Sequence, residues 1–177
     1  MARGGDCFAS LAMTRMGFAM NIERQLAVLD LNARYAEAID EGRFEEWPDF
    51  FTEDGKYRVT TAENVEQNLP LSLIYATSRA MLRDRVRSLR DANVYEAQRY
   101  RHLIGPALIG GQEGGEVRAQ TSFMVARIMH TGETSIFATG RYHDRILLDT
   151  PERGEAFVEK LVILDSRLID TLLAIPL

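Results

Sequence analysis

Apolar residues recur along the 177-residue chain with two different periods, and the change falls near residue 98. Before it the spacing is helical. Ile22, Leu26, Leu29, Ala33 and Ala36 follow one another at intervals of four, three, four and three, which predicts an amphipathic helix over 21–41. Asn21 is its expected N-cap and Gly42 its stop. A short helical turn, RFEEW, follows and ends at Pro48. Asp54-Gly55 lies between aromatic and β-branched runs, which predicts a small hairpin or strand pair over 49–61. Residues 62–76 carry Pro70 within the apolar stretch LPLSLIYA and read as a loop or short strand. A second helix is expected over 77–91, capped by Thr77 or Ser78 and burying Leu82, Val86 and Leu89.

From residue 98 the period is two. Four strands are predicted, at 98–109, 116–130, 133–148 and 156–169. The turns between them are GGQEGG, His130-Thr131-Gly132 and DTPERGE. Long strands joined by short turns make an antiparallel meander. The inward faces predicted for the last three strands are Val117, Ala119, Thr121, Phe123, Val125 and Met129; Ile136, Ala138, Gly140, Tyr142, Ile146 and Leu148; and Ala156, Val158, Val162, Leu164 and Leu168. Helices first and a curled meander second is an α+β arrangement, with the helices packed on one face of the sheet. Residues 1–20 hold no sustained period. They are expected to be a disordered extension, or the product of a start assigned too far upstream, with Met16 and Met20 as alternative starts. Residues 21–177 then form a single domain.

Composition narrows the function classes. The chain is 46% hydrophobic and 27% charged, enough for a core of its own. A net charge of −5 and a pI near 5.3 disfavour a general nucleic-acid role. No apolar run nears the roughly 18 residues that span a bilayer. The single cysteine, Cys7, excludes an internal disulfide, a Cys-rich zinc site and a Cys-ligated iron–sulfur cluster within one chain. The three histidines, His102, His130 and His143, show no metal-ligand spacing.

Three features could carry function. His102 and Asp144 fall on apolar faces of neighbouring predicted strands, beside Tyr142. Facing one cavity, they would form a general acid/base cluster, with Tyr35 or Tyr142 as its hydroxyl. Buried polar groups held for structure produce the same pattern. Arg79, Arg83, Arg87 and Arg90 share an arc of about 80° on the second helix. They form either a solvated face with acidic partners or a docking surface. The last ten residues include seven apolar side chains, among them Leu172, Leu173, Ile175 and Leu177. These must pack on the chain's own sheet or enter an interface.

The segments RYAEAID, EEWPDFFTEDGKYRV, YRHLIGP, FMVARIMHTGETSIFATGRYHDR and DTLLAIPL resemble the small (beta) subunits of Rieske-type aromatic-ring-hydroxylating dioxygenases. The likeness runs from about Asn21 to Leu177. Within that family MHTGET, FATGRY and DTLLAIPL point to the terephthalate type, with the salicylate and anthranilate types next. The resemblance implies the cone fold of ketosteroid isomerase and nuclear transport factor 2, a curved antiparallel sheet wrapping helices. It implies a cytoplasmic α3β3 hexamer in which the large alpha subunit carries a Rieske [2Fe–2S] cluster and a mononuclear Fe(II). NADH would reach it through a reductase, and the reaction would be cis-dihydroxylation of an aromatic carboxylate such as terephthalate. It carries over no catalytic residue to this chain. A Rieske centre needs two Cys and two His, and an oxygenase iron two His and a carboxylate. One Cys and three His cannot supply both. The rival expectation is a stand-alone isomerase or dehydratase using His102 and Asp144.

Overall fold

One long helix, α1 (Gly5–Asp40), opens the structure. Position 21 therefore lies inside a helix and does not cap one. In this computed structural model we describe residues 5–92, 96–150, 154–168 and 173–177, and the backbone alone for 5–21, 112 and 113. The buried face of α1 is Val28, Leu31, Asn32, Tyr35, Ala38 and Ile39, whereas Ile22, Leu26 and Leu29 are 41%, 59% and 45% exposed. The helix carries two apolar stripes, one residue and so about 100° apart. Periodicity alone does not say which one meets the sheet.

A 3-10 helix, Phe44–Phe50, runs through Pro48 and buries Phe44 and Trp47. β1 (Phe51–Thr61) is one continuous strand, not a hairpin. Asp54-Gly55 is spent on an irregularity within it, where the register slips between Phe51 and Lys56. A side chain at Gly55 would lie 2.7 Å from the Phe51 Cβ, which is why the bulge takes glycine. The region read as a loop holds α2 (Ala62–Glu66), capped by Thr61, and the edge strand β2 (Ile74–Ala76). α3 (Arg79–Asp91) starts at Ser78, whose hydroxyl accepts from the Met81 N–H at 3.3 Å.

The meander follows as β3 (Gln98–Glu113), β4 (Glu116–Met129), β5 (Thr134–Thr150) and β6 (Gly154–Leu164). The six strands form one sheet in the order β2-β1-β6-β5-β4-β3. Every pair is antiparallel except β1 with β6, which is parallel. The sheet is thus mixed where an antiparallel one was expected. The period of two reports which face is buried and carries no strand direction. Two bulges also move the predicted faces. The slip between Val125 and Ala126 turns Phe137 toward the core and leaves Ile136 65% exposed. The slip between Arg145 and Ile146 puts Phe157 inward in place of Val158. Leu168 lies past the end of β6 and is exposed.

α1 packs against β3, β5 and β6. Tyr35, Trp47, Phe51, Tyr57 and Phe157 form the aromatic heart of the core, most pairs meeting edge to face, the arrangement that ring quadrupoles favour.

Candidate functional site

The inward side chains of the sheet and the buried face of α1 enclose a polar interior with two separate ionisable pairs. The sequence pairs His102 with Asp144; the structure gives each a different partner. His102, on β3, is bound by Asp40 from the last turn of α1. Its Nδ1 lies 2.6 Å from Asp40 Oδ1, and its main-chain N–H donates to Oδ2 at 2.9 Å. Both side chains are almost wholly buried. One carboxylate therefore fixes the ring and the strand that carries it. Asp40 was missed because it sits at a helix end, next to Ile39 of the buried stripe, where an acid reads as solvated.

Asp144, on β5, faces Lys160 of β6 across the register. Lys160 Nζ donates to Asp144 Oδ2 at 3.2 Å and to Asn32 Oδ1 at 3.1 Å. Three rings surround the ammonium, with centroids at 3.6 Å (Tyr142), 4.3 Å (Phe157) and 4.7 Å (Tyr35), so cation–π attraction adds to the ion pair. Burial pushes the Asp144 carboxyl up to about 6, Lys160 pulling it back, and the same burial holds Lys160 below the ordinary lysine range. Lys160 was legible in one respect. It shares the period of Val162 and Leu164, on an apolar face that a lysine enters only with a partner.

Tyr142 stacks on Phe123 with centroids 4.3 Å apart. Burial, with Tyr57, Asp144 and Asp40 nearby, raises its hydroxyl pKa. His102 Nε2, Asn32 Nδ2, Thr121 Oγ1, Tyr142 Oη and Asp144 Oδ1 are buried with no protein hydrogen-bond partner among the described residues.

The arginine arc divides. Arg79 is buried, donating to the Phe51 carbonyl and pairing with Glu53 at 3.0 Å. Arg90 grips Glu45 at 2.7 Å, donates to the Gly42 carbonyl and lies over the Phe44 ring. Both are committed within the chain: Arg79 is too deeply buried to dock on another subunit, whereas Arg90 keeps part of its side chain exposed. Arg83 and Arg87 stay exposed, with longer pairs to Asp49 (3.8 Å) and Asp84 (3.5 Å). Of the apolar tail, Ile175 and Leu177 are buried and Leu173 half-buried, so this stretch packs on its own chain. Leu172 lies outside the described residues.

His130 pairs with Glu96 at 3.2 Å in the β4–β5 turn. His143 projects from the opposite face of β5 from Asp144. Partial burial, then Arg141, hold it below the usual imidazole value. The three histidines thus sit in three unrelated places. With a single cysteine in the chain, these residues fit neither a Rieske centre nor a two-His-one-carboxylate iron. A cleft of about 710 Å³ joins Asp40, Glu41, Arg99, Tyr100, Arg101 and Ile175, with charges of both signs on its walls.

A curved sheet closing over a long helix, with a polar interior, defines the cone class, and solved structures agree. A beta subunit from Novosphingobium aromaticivorans, described as that of an aromatic-ring-hydroxylating dioxygenase, is 39% identical. It superposes with a TM-score of 0.81 over 89% of this chain and 99% of its own. A naphthalene 1,2-dioxygenase chain, 15% identical over 86% of this chain and 85% of its own, shares the fold at a TM-score of 0.69. The sequence profile of the ring hydroxylating beta subunit family matches residues 34–171. The chain belongs to that family. It is 42% identical to terephthalate 1,2-dioxygenase terminal oxygenase subunit beta 1 of Comamonas sp., over 86% of this chain and 98% of the relative. It is 38% identical to the anthranilate 1,2-dioxygenase small subunit of Burkholderia cepacia, over 83% and 90%.

Proposed function

We propose that this chain is the non-catalytic small subunit of an oxygenase that cis-dihydroxylates an aromatic carboxylate such as terephthalate. The observation that carries this reading is the 42% identity across almost the whole of a terephthalate dioxygenase beta subunit. In this reading three copies hold three large subunits in a cytoplasmic α3β3 hexamer. The Rieske cluster and mononuclear iron belong to the large subunit, and electrons come from NADH through a reductase. The single cysteine and scattered histidines support placing the metals elsewhere. Residues 1–20 stand outside the family domain.

Two exposed surfaces suit large-subunit contacts. One is the Ile22/Leu26/Leu29 stripe of α1, a row of apolar side chains without cover in the isolated chain, the kind of patch that marks an interface. The other is the Arg83/Arg87 end of the arginine arc.

Co-expression with the large subunit tests the assignment. A coloured complex of about 200 kDa, the size of three symmetric pairs, is expected, and His102→Ala should leave its turnover intact. A colourless chain that converts an aromatic acid alone overturns the reading.

A further inference from the structure

Arg99 and Arg101 stand side by side on β3, the last strand of the sheet. Side chains alternate along a strand, so these two share a face, about 7 Å apart along the backbone. Both are exposed, and both line the cleft of about 710 Å³ between β3 and the end of α1. Arg99 also borders a second cleft, of about 470 Å³, that runs on to Met129 and His130.

Like charges on one strand face repel. Elsewhere in the chain arginines grip carboxylates closely: Arg34, Arg43, Arg90 and Arg145 each have one at 2.8 Å or nearer. Arg99 has no carboxylate among the described residues. Arg101 reaches only Asp40, at 3.6 Å, and its other nitrogen atoms meet no acceptor among the described residues. Asp40 is itself spent on His102, at 2.6 Å to Nδ1 and 2.9 Å to the main-chain N–H. It steadies one end of the Arg101 guanidinium and leaves the rest of the fork to the cleft. Glu41, on the same rim, is turned to Arg43 at 3.1 Å, so it is not the missing counter-ion.

The facing wall is apolar. Ile39, Phe44, Ile128 and Ile175 line it, and three of them, Ile39, Phe44 and Ile175, belong to the core, which fixes its shape. The volume falls in the range of about 300–1,000 Å³ usual for small-molecule sites. Uncommitted guanidinium donors on one side and a fixed apolar wall on the other suit a molecule with the same two halves.

We propose that this cleft binds small organic carboxylates, the carboxylate held between Arg99 and Arg101 and the apolar body against Ile39, Ile128 and Ile175. A guanidinium fork matches a carboxylate in plane and in donor spacing, and one carboxylate between the two arginines relieves their repulsion. The site stands on this chain's own geometry; only the choice of an aromatic probe rests on the proposed function.

Titration of the isolated full chain with benzoate tests it, read by calorimetry and by amide chemical shifts. Benzamide serves as the uncharged isostere and inorganic phosphate as an anion without an apolar body. Benzoate should bind at least about tenfold more tightly than either, with the shifts confined to residues around 39–42 and 98–101. Arg99→Gln with Arg101→Gln, both on exposed side chains, should keep the native circular dichroism and lower benzoate affinity about tenfold or more. Benzoate that does not bind, that binds no better than benzamide or phosphate, or that binds the folded double variant equally well overturns the proposal. Should the double variant not fold, the preference for benzoate over benzamide and the position of the shifts in the unaltered chain decide. No large subunit enters the titration, so its failure leaves the subunit assignment standing, and failed co-purification leaves the binding result standing.

Discussion

Lys160 is the residue on which the interior depends most. It is wholly buried and answers to one carboxylate, one amide and three rings. Removing one member of a buried ion pair strands the other, whereas replacing both by apolar groups is often neutral. Lys160→Met should cost about 3–5 kcal/mol in urea unfolding, and Asp144→Leu added to it should recover most of that loss. Asp144 also makes a pH prediction. Its folded pKa, about 6, exceeds the ordinary aspartate value of 3.8. The unfolded chain thus releases this proton first as pH rises, and the native state loses stability through the window from about 4 to 6. Relative to Asp144→Asn, the unaltered protein should fall by up to about 3 kcal/mol between pH 4 and 6, read from urea midpoints. The pairings themselves were not legible in the sequence. His102 and Asp144 stood out as polar residues on apolar faces, and both do point inward. Their partners Asp40 and Lys160 come from a helix end and another strand, and only the folded register brings them near.

Elements are where the sequence speaks most clearly and also where it misleads. The end of α1, the cap of α3 and the four long strands follow from period and turn chemistry, because those signals are local. The exposed stripe of α1 and the outward Ile136 do not, because each depends on which surface the rest of the fold presents or on a bulge elsewhere in the ladder. The Asp-Gly pair at 54–55 shows the same limit, since turn chemistry served a bulge as well as it would a hairpin. Gly140 of β5 tests how closely its neighbouring strands β4 and β6 crowd it within the sheet. A Cβ there would fall onto the Ile163 carbonyl and the Phe123 ring, and neither backbone nor stacked ring can yield far. Gly140→Ala should destabilise the fold by about 2–3 kcal/mol in thermal or urea melts, although alanine is ordinarily the more favourable strand residue.

At the scale of the whole molecule, the resemblance carried by motifs spread from residue 34 to the tail proved more informative than any single residue, because subunit identity is a property of the surface and fold together. That surface gives a prediction with two arms. Leu26→Glu with Leu29→Glu should leave the isolated chain folded by circular dichroism and abolish co-purification with the large subunit. Arg83→Glu with Arg87→Glu should weaken co-purification in a salt-dependent way. Unchanged recovery in either pair would remove that surface from the interface. The parallel pairing of β1 with β6 has a consequence of another kind. During synthesis β1 leaves the ribosome with one edge covered by the short β2. Its other edge stays open until β6 emerges about 90 residues later, roughly 5–20 s at ordinary elongation rates. An open edge invites pairing with any neighbouring strand. A nascent chain stalled just before residue 154 is therefore the species most prone to aggregate, and the one for which a chaperone matters most.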